Sequence, residues 1–313
     1  MGGIYLFSLS GIPVSVSLWY FVLIGYFAYG SGAARGLLWG LCVTVSILVH
    51  ELGHAVVARH YRLSPQIMLH GWGGLCAHDR AERDRHDVFI LAAGPGAGLV
   101  FGALLWIARE VIVAIDPTLL VATEPLRLTF FYMLYINLFW SLINLVPLWP
   151  LDGGQLFRIG MLKVFDSPAR AERATHVVGL ALGVAAIAIA QGVYGSVFLT
   201  ILAAFITWEN VQRMSSTSAT GPIRRQSKFA RSLLDDAEQA LAGGDFREAA
   251  RLCYQIRADT SVSGAGLDKM WAILAVALEA QGENDDAADY AQRAPPKLLD
   301  ELRKKALPAR GGG

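Results

Sequence analysis

Six strongly apolar stretches, separated by short polar segments, occupy the first two thirds of the chain. Each is close to the length of about 20 residues that an α-helix needs to cross a bilayer. The pattern therefore predicts about six transmembrane helices, at residues 14–29, 36–57, 88–107, 128–148, 175–190 and 193–208. Only Gln191 and Gly192 separate the last two stretches, which predicts that these two helices form a hairpin.

The polar segment between the second and third stretches, residues 59–87, contains a shorter pattern of its own. Residues 66–75 form a short segment with an apolar run followed by a turn that contains Gly71, Gly73 and Gly74. A short apolar segment with a glycine-rich turn is typical of a β-hairpin. We predict a small hairpin here, directly after the second transmembrane helix.

The composition changes after the last apolar stretch. Residues 214–232 are rich in Ser, Thr and basic side chains, which predicts a linker. Residues 233–296 show helical spacing, and their turns at Gly244 and Gly282 are 38 residues apart, close to the period of about 34 of tetratricopeptide repeats. We expect two degenerate tetratricopeptide-like units, with a plain pair of helical hairpins as the alternative. Residues 297–313 are expected to be a flexible tail.

The composition supports a membrane protein, because 54% of the 313 residues are hydrophobic and the mean hydropathy is +0.42. Only 17% are charged, compared with about 25% in average proteins. The net charge of +1 and the lack of a basic block argue against nucleic-acid binding. The predicted fold class is an all-α polytopic membrane domain, residues 1–213, followed by a soluble α-helical repeat-like C-terminal domain.

Lysine and arginine are unevenly distributed between the two sides of the predicted membrane domain. They are frequent in residues 59–87, in residues 158–173 and near the start of the C-terminal region, whereas the opposite side carries only Arg35, Arg109 and Arg127. Cytoplasmic loops carry the excess of positive charge. We therefore expect an integral, multi-pass protein of the bacterial inner (plasma) membrane with both termini in the cytoplasm.

The second apolar stretch contains the motif His50-Glu51-Leu52-Gly53-His54. On a helix, side chains four residues apart lie on one face, so the two imidazoles can bind one Zn²⁺. Glu51, beside the first histidine, can then act as a general base toward water. Histidine and glutamate are costly in hydrocarbon, and there they mark functional sites.

A catalytic zinc site with two histidines needs a third protein ligand and an open position. Asp152 is the best candidate, because it follows an apolar stretch, lacks a basic neighbour and precedes two glycines that permit unusual backbone shapes. An Asp before Gly is also a common turn residue. A Glu or His elsewhere, such as His70, His78 or His86, remains open as the third ligand.

Asn144 lies eight residues before Asp152, at the apolar end of the fourth predicted helix. Its amide can donate a hydrogen bond to the oxyanion that forms when water attacks a carbonyl group. An interhelical hydrogen bond is the alternative role for this side chain.

Two paired motifs make the chain resemble the site-two protease family of intramembrane zinc metalloproteases. They are His50-Glu51-Leu52-Gly53-His54 and Asn144-x-x-Pro147-x-x-x-x-Asp152-Gly153, with further support from Gly94-Pro95-Gly96 and Gly11-Ile12-Pro13-Val14. The resemblance covers about residues 1–210, and the tetratricopeptide-like tail departs from the commonest layouts of the family. It implies one Zn²⁺ per chain, recessed below the cytoplasmic surface of a helical core. It also implies a membrane-associated hairpin, which fits residues 66–75.

The resemblance implies hydrolysis of a peptide bond in or near a transmembrane segment of a membrane-protein substrate. The two motif histidines and Asp152 would hold the zinc, Glu51 would transfer protons and Asn144 would assist. The hairpin could pair with an extended substrate, and its three glycines would allow close approach. A plain connector lying on the membrane is the alternative for the hairpin.

Two other functions remain open. The first is a zinc membrane peptidase that trims signal-peptide remnants or pro-segments rather than releasing a membrane-held regulator. The second is a non-catalytic membrane scaffold that recruits partners through its C-terminal helices. The expected partners are a transmembrane protein substrate and a cytosolic protein bound by the C-terminal domain, and the sequence leaves a homo-oligomer open.

Overall fold

The computed structural model describes residues 3–79, 84–165, 168–217, 228–257 and 265–306. Over these residues the protein is mainly helical, with one small sheet. The strands are β1 (Ile4–Leu9), β2 (Ile12–Val16), β3 (Gln66–His70) and β4 (Gly73–Ala77). The helices are α1 (Leu18–Ser31), α2 (Ala33–His60), α3 (Asp84–Ile115), α4 (Thr118–Ala122), α5 (Glu124–Asn144), α6 (Asp152–Val164), α7 (Pro168–Gly192), α8 (Val197–Thr217), α9 (Lys228–Ala242), α10 (Phe246–Arg257), α11 (Ala265–Ala280), α12 (Asn284–Arg293) and α13 (Pro296–Ala306).

The chain forms two compact units. The first contains the sheet, almost all of helices α1 to α5 and the start of α6, and comprises Met1–Ala81, Arg85–Pro147 and Leu151–Leu156. The second contains the rest of α6 and helices α7 to α13, and comprises Glu82–Asp84, Leu148–Pro150 and Phe157–Gly313. The chain therefore passes from one unit to the other within α6.

The sheet of the first unit has the strand order β1-β2-β3-β4, and the predicted hairpin forms its second half. β1 and β2 are antiparallel and meet at a tight turn where Ser10 and Gly11 have positive φ. β2 pairs with β3 in parallel, so β4 is an edge strand whereas β3 is not. Ile12, Val14 and Val16 point inward from β2 and pack in a core with residues of α2.

Among the residues that the structure describes, four helices are long and apolar enough to cross a membrane, namely α2, α3, α5 and the Arg170–Gly192 part of α7. They correspond to the second to fifth predicted spans. The fourth predicted span extended to residue 148, but α5 ends at Asn144 and the chain then turns toward Asp152. The membrane-protein class and the mainly helical fold are thus confirmed.

The first and sixth predicted spans differ from these four. α1 begins at Leu18 rather than at residue 14, because residues up to Val16 form a strand, and it has only 14 residues. α8 occupies the sixth position and carries Glu209 and Arg213 in its second half. The passage of α1 and α8 through a membrane stays a prediction.

The second unit contains the predicted hairpin of α7 and α8 and a bundle of five helices, α9 to α13, around an apolar core. In this core the ring of Trp271 stacks on Tyr290 with centroids 5.5 Å apart. The turns after α9 and α11 each contain a glycine with positive φ, Gly244 and Gly282. Only glycine adopts this backbone conformation without strain, which explains why both turns contain it.

The predicted linker at residues 214–232 is partly helical. α8 extends to Thr217, and α9 begins at Lys228. Residues 218–227 of that linker lie outside the described residues.

The predicted flexible tail at residues 297–313 is wrong over its first part. Residues 297–306 belong to α13, because Leu299 and Leu302 are buried in the core of the bundle. Residues 307–313 lie outside the described residues.

Candidate active site

Three polar side chains of α2 lie close together inside the first unit. His50, Glu51 and His54 are 3%, 5% and 5% exposed. One helical turn separates the two histidines, whose Nε2 atoms are 3.2 Å apart. Nδ1 of His54 donates a hydrogen bond to the backbone oxygen of Ile90 at 2.7 Å. In a neutral imidazole this leaves the lone pair on Nε2, which faces the other histidine.

Helix α3 approaches α2 very closely beside these histidines. A Cβ atom at Gly53 would overlap the backbone oxygen of Ala93, and a Cβ atom at Gly94 would overlap Nε2 of His54. Glycine at both positions therefore allows the backbone of α3 to lie against the histidine pair. In the sequence, Gly94 was recognised only as part of a motif. Its contact with His54 depends on how α3 packs against α2 and could not be predicted from the motif.

The carboxylate of Asp152, the first residue of α6, reaches the same place. Its Oδ2 atom lies 3.2 Å from Nε2 of His50 and 3.4 Å from Nε2 of His54. Gly153 permits this approach, because a Cβ atom there would overlap the backbone of Leu145. The fold thus brings Asp152 together with two residues about a hundred positions earlier in the chain.

These three side chains form a donor set that suits a metal ion. One ligand atom from each of His50, His54 and Asp152 lies within 4.8 Å of the other two. Oδ2 of Asp152 and Nδ1 of His50 are buried and make no hydrogen bond of normal geometry with the described residues. A buried carboxylate oxygen without a partner is costly, and a coordinated cation would satisfy it. Two imidazoles and a carboxylate match the three-ligand sets of catalytic Zn²⁺.

Glu51 lies against the edge strand β4. A Cβ atom at Gly74 would overlap Oε1 of Glu51. The candidate general base and the free edge of the sheet therefore meet at one place.

The three hairpin glycines differ in their surroundings. Gly74 alone among them contacts Glu51, whereas a Cβ atom at Gly71 would lie 3.0 Å from the backbone oxygen of Trp19. Gly73 has a φ of +131° and packs against the ring of Trp140. Gly71 and Gly73 thus shape the hairpin, and Gly74 is the glycine that the fold brings to the candidate site.

Asn144, the last residue of α5, is buried with 7% exposure. Its Nδ2 donates a hydrogen bond to the backbone oxygen of Trp140 at 2.9 Å. An amide nitrogen carries two hydrogens, so this bond uses one of them. Asn137, on the same helix, instead links α5 to α2 through a 2.9 Å hydrogen bond to Oγ of Ser46.

The loop histidines that remained open as zinc ligands have other contacts. His70 and His78 hydrogen-bond to backbone groups close to them in sequence, and the ring of His86 stacks on Tyr61 at 3.9 Å. Within the described ranges, these histidines do not join the cluster that can hold a metal ion.

Sequence reasoning missed a second buried polar group, which lies in the second unit. His176 of α7 and Asn210 of α8 are 1% and 0% exposed, and they contact each other. A signal was available for His176, because it stands at the start of the fifth apolar stretch, where a histidine is costly. Asn210 follows the sixth stretch directly and gave a weaker signal.

Comparison with known proteins places these residues in context. A family model described as Peptidase family M50 matches residues 39–186, a range that includes the motif histidines and Asp152. Rip3 of Mycobacterium tuberculosis (strain H37Rv) is 32% identical over 192 residues, which cover 58% of this chain and 45% of that protein. Zinc metalloprotease MJ0392 of Methanocaldococcus jannaschii is 26% identical over 166 residues, covering 52% of this chain and 46% of that protein. The chain spans about half the length of these curated relatives.

A solved structure agrees with the fold. The site-2 protease from Methanocaldococcus jannaschii matches with a TM-score of 0.50 and 21% identity, over 68% of this chain and 95% of that one. At this identity the likeness concerns the fold alone. The chain is thus similar to peptidase family M50 over residues 39–186, and its fold is similar to that of a site-2 protease.

Proposed function

We propose that the protein is an intramembrane zinc metalloprotease that hydrolyses a peptide bond in or near a transmembrane segment of a membrane protein. One observation carries this proposal: ligand atoms of His50, His54 and Asp152 converge, with Glu51 buried beside them. The helix that carries three of these residues is apolar and long enough to cross a membrane. The family match over residues 39–186 supports the same chemistry.

The roles follow from the chemistry of each side chain. His50, His54 and Asp152 hold one Zn²⁺, which when bound polarises the scissile carbonyl group and lowers the pKa of water. Glu51 accepts a proton from the attacking water and delivers it to the leaving amine. The hydrogen bond from His54 to the Ile90 backbone orients the imidazole for binding.

Asn144 is proposed as the donor to the developing oxyanion. One of its amide hydrogens is engaged by the Trp140 backbone oxygen, and the second is available for a substrate. Its position at the end of α5, directly before the turn that carries Asp152, supports this role.

The edge strand β4 is proposed as the binding site for an extended substrate. An edge strand presents unpaired backbone groups, and a peptide can add to it as a further strand. Because Gly74 touches Glu51, a strand paired along β4 would bring its backbone to the proton-transfer residue. Such pairing requires the substrate helix to unwind locally, and it selects by main chain more than by side-chain sequence.

The membrane topology is proposed from the helices and the charge distribution together. The protein is an integral membrane protein, in which α1 and α8 would complete a set of six crossings. Since α1 has 14 residues, the strand segment before it would have to contribute to the first crossing. The excess of Lys and Arg on one side supports cytoplasmic termini.

The C-terminal bundle is proposed to be tetratricopeptide-like and to bind a cytosolic protein. The pairs α9–α10 and α11–α12 have matching turns at Gly244 and Gly282, and α13 would serve as the capping helix. Recruitment by this bundle would choose or regulate substrates, and it is also the basis of the alternative scaffold function.

Comparison of membrane proteomes from cells carrying the wild-type chain or Glu51→Gln tests the proposed function. Glutamine keeps the shape of the site but cannot accept the proton, so uncleaved substrates should accumulate in the variant. Glu110→Gln, at an exposed position of α3, is the control and should match the wild type. Accumulating proteins that retain signal-peptide remnants or pro-segments would indicate trimming.

Two outcomes would contradict the proposal. Equal cleavage of a substrate by Glu51→Gln and by the wild type would remove the role of Glu51. A purified wild-type protein that binds no zinc, combined with unchanged membrane proteomes, would favour the scaffold.

A further inference from the structure

The turn that leads into Asp152 is fastened to α8 by a buried asparagine. Nδ2 of Asn210 donates a hydrogen bond to the backbone oxygen of Trp149 at 2.7 Å, three residues before Asp152. The same nitrogen donates to the backbone oxygen of Ile206 at 2.9 Å. Two carbonyl acceptors fix the orientation of the amide, because its oxygen could not face either of them.

His176 supports this asparagine from the neighbouring helix. With the amide fixed, Oδ1 of Asn210 faces Nδ1 of His176 at 3.1 Å, so Nδ1 carries the proton and donates it. Nε2 of His176 lies 3.2 Å from Oε2 of Glu172, and Oε1 of Glu172 accepts from Nε of Arg158 at 2.5 Å. A continuous polar chain therefore runs from Trp149 through α8 and α7 to Arg158 on α6.

This polar chain bonds to residues before and after Asp152 in the sequence. Trp149 lies before Asp152, and Arg158 lies six residues after it on α6. The ring of Trp149 is also held, because the guanidinium of Arg213 lies over it at 4.5 Å. The groups that anchor the turn and the groups that anchor the helix thus belong to one network.

The packing of α7 against α8 leaves room for the network. A Cβ atom at Gly179 would overlap Oδ1 of Asn210, so α7 needs a glycine where it faces the amide. Burying His176 and Asn210 among apolar helices is costly unless their polar atoms are paired. None of these residues belongs to the ligand set or transfers protons in the proposed reaction.

We propose that Asn210 and His176 are positioning residues, which hold the Trp149–Asp152 turn so that the Asp152 carboxylate meets the two histidines. They act through the backbone and touch neither the metal nor the substrate. The inference rests on the proposed function and deepens it. Residues that orient a metal ligand without binding the metal themselves typically raise the metal affinity about 10- to 100-fold.

The test uses the purified full-length chain in detergent and Co²⁺ alone as the probe. Asn210→Asp preserves the shape of the side chain but removes the N–H group that donates to the backbone oxygen of Trp149. His176→Gln replaces the imidazole with an amide that can still donate a hydrogen bond to Asn210. The control is Thr207→Val, a buried polar residue one turn away on α8 whose hydroxyl bonds only within its own helix, to Ala203. We expect Asn210→Asp to weaken Co²⁺ binding by about tenfold or more, His176→Gln to fall between that variant and the wild type, and Thr207→Val to match the wild type.

A second readout does not depend on the metal. Backbone hydrogen exchange in a peptide covering residues 145–151 should quicken in metal-free Asn210→Asp and stay unchanged in Thr207→Val. Co²⁺ affinity within twofold of the wild type in Asn210→Asp, with unchanged exchange in the turn, would overturn the inference. If Asn210→Asp does not fold, His176→Gln takes its place. Wild-type Co²⁺ affinity and wild-type hydrogen exchange of the turn in His176→Gln would then overturn the inference.

Failure of the proposed function gives a different result. In that case the wild-type chain itself binds no Co²⁺, or binds it equally well after Asp152→Asn. Failure of the positioning inference leaves the wild-type affinity and its dependence on Asp152 intact.

Discussion

Gly94 of α3 lies directly against the imidazole of His54, and a Cβ atom on Gly94 would overlap Nε2 of that histidine. Gly96, two residues later on the same helix, would have no atom within 4 Å of its Cβ. The two glycines of one short motif therefore have different physical roles. Gly94 keeps open the space in which Nε2 of His54 faces His50 and Asp152.

Gly94→Ala should displace His54 and weaken zinc binding. An added methyl group cannot be accommodated without moving the ring, so we expect affinity to fall by about tenfold or more, as it does when ligand orientation is lost. Zinc content after dialysis against a chelator series measures the effect. Gly96→Ala is the matched control and should retain the zinc content of the wild type.

Gly153→Ala should damage the same site from the other side. The backbone of Leu145 lies where the new Cβ would stand, so the start of α6 must move and carry Asp152 with it. Gly160→Ala, on the same helix, has no atom within 4 Å of its Cβ and should be neutral or slightly stabilising, since Ala favours helices by about 1 kcal/mol over Gly. Equal zinc affinity in the two variants would contradict this placement of Gly153.

Gly74→Ala should separate catalysis from metal binding. The methyl group would collide with Glu51 and not with the ligands, so zinc should be retained while kcat falls by about 10²-fold through misplacement of the general base. Gly25→Ala, on α1 and with no atom within 4 Å of its added Cβ, is the control. Loss of zinc in Gly74→Ala, or unchanged kcat, would show that the strand does not position Glu51.

The C-terminal bundle should lose stability in acid through Glu238. Hydrogen bonds from Lys269 at 2.6 Å and Lys305 at 3.0 Å hold the pKa of Glu238 below its usual value. A depressed folded-state pKa contributes stability that is fully present above the unfolded value of about 4.3 and is lost as the pH falls through the folded value. The protection of backbone amides in α9 and α11, taken relative to the intrinsic exchange rate at each pH, should therefore fall over the lower part of the range from pH 6 to pH 3.

Two variants check this assignment. Glu238→Gln should flatten the acid dependence and leave exchange near pH 6 slightly faster, because the side chain is partly exposed and its ion pairs are screened. Asp236→Asn, at an exposed neighbouring position, should retain the wild-type profile. An unchanged profile in Glu238→Gln would assign the acid sensitivity to another group.

Local spacing was enough to predict the histidine pair and the apolar helices. Helical geometry alone brings His50 and His54 to one face. The apolar stretches that are long enough to cross a bilayer predict the positions of the apolar helices. Asp152 was predictable because an unpaired acid beside an apolar stretch requires a partner. The tertiary roles of Gly94, Asn210 and His176 were not predictable, because they depend on which helices pack together.

Residues near the N-terminus were assigned to the wrong type of secondary structure. Val14 and Val16 were assigned to the start of a transmembrane helix, whereas they belong to β2 and pair with β3 more than fifty residues later. Short apolar segments fit a strand or a helix equally well until their partner is known. Leu299 and Leu302 lie in the predicted flexible tail, and their helix was missed because a core built mostly from earlier segments stabilises it.

Zinc content of the purified Asp152→Asn protein tests the ligand assignment most directly. The wild type should carry one zinc per chain, and Glu51→Gln should carry the same amount while cleaving nothing. Asp152→Asn should lose its zinc to a mild chelator, whereas Asp116→Asn, a control whose carboxylate is hydrogen-bonded to Thr118, should keep it. Retention of one zinc by Asp152→Asn with wild-type affinity would contradict the site proposed for this protein.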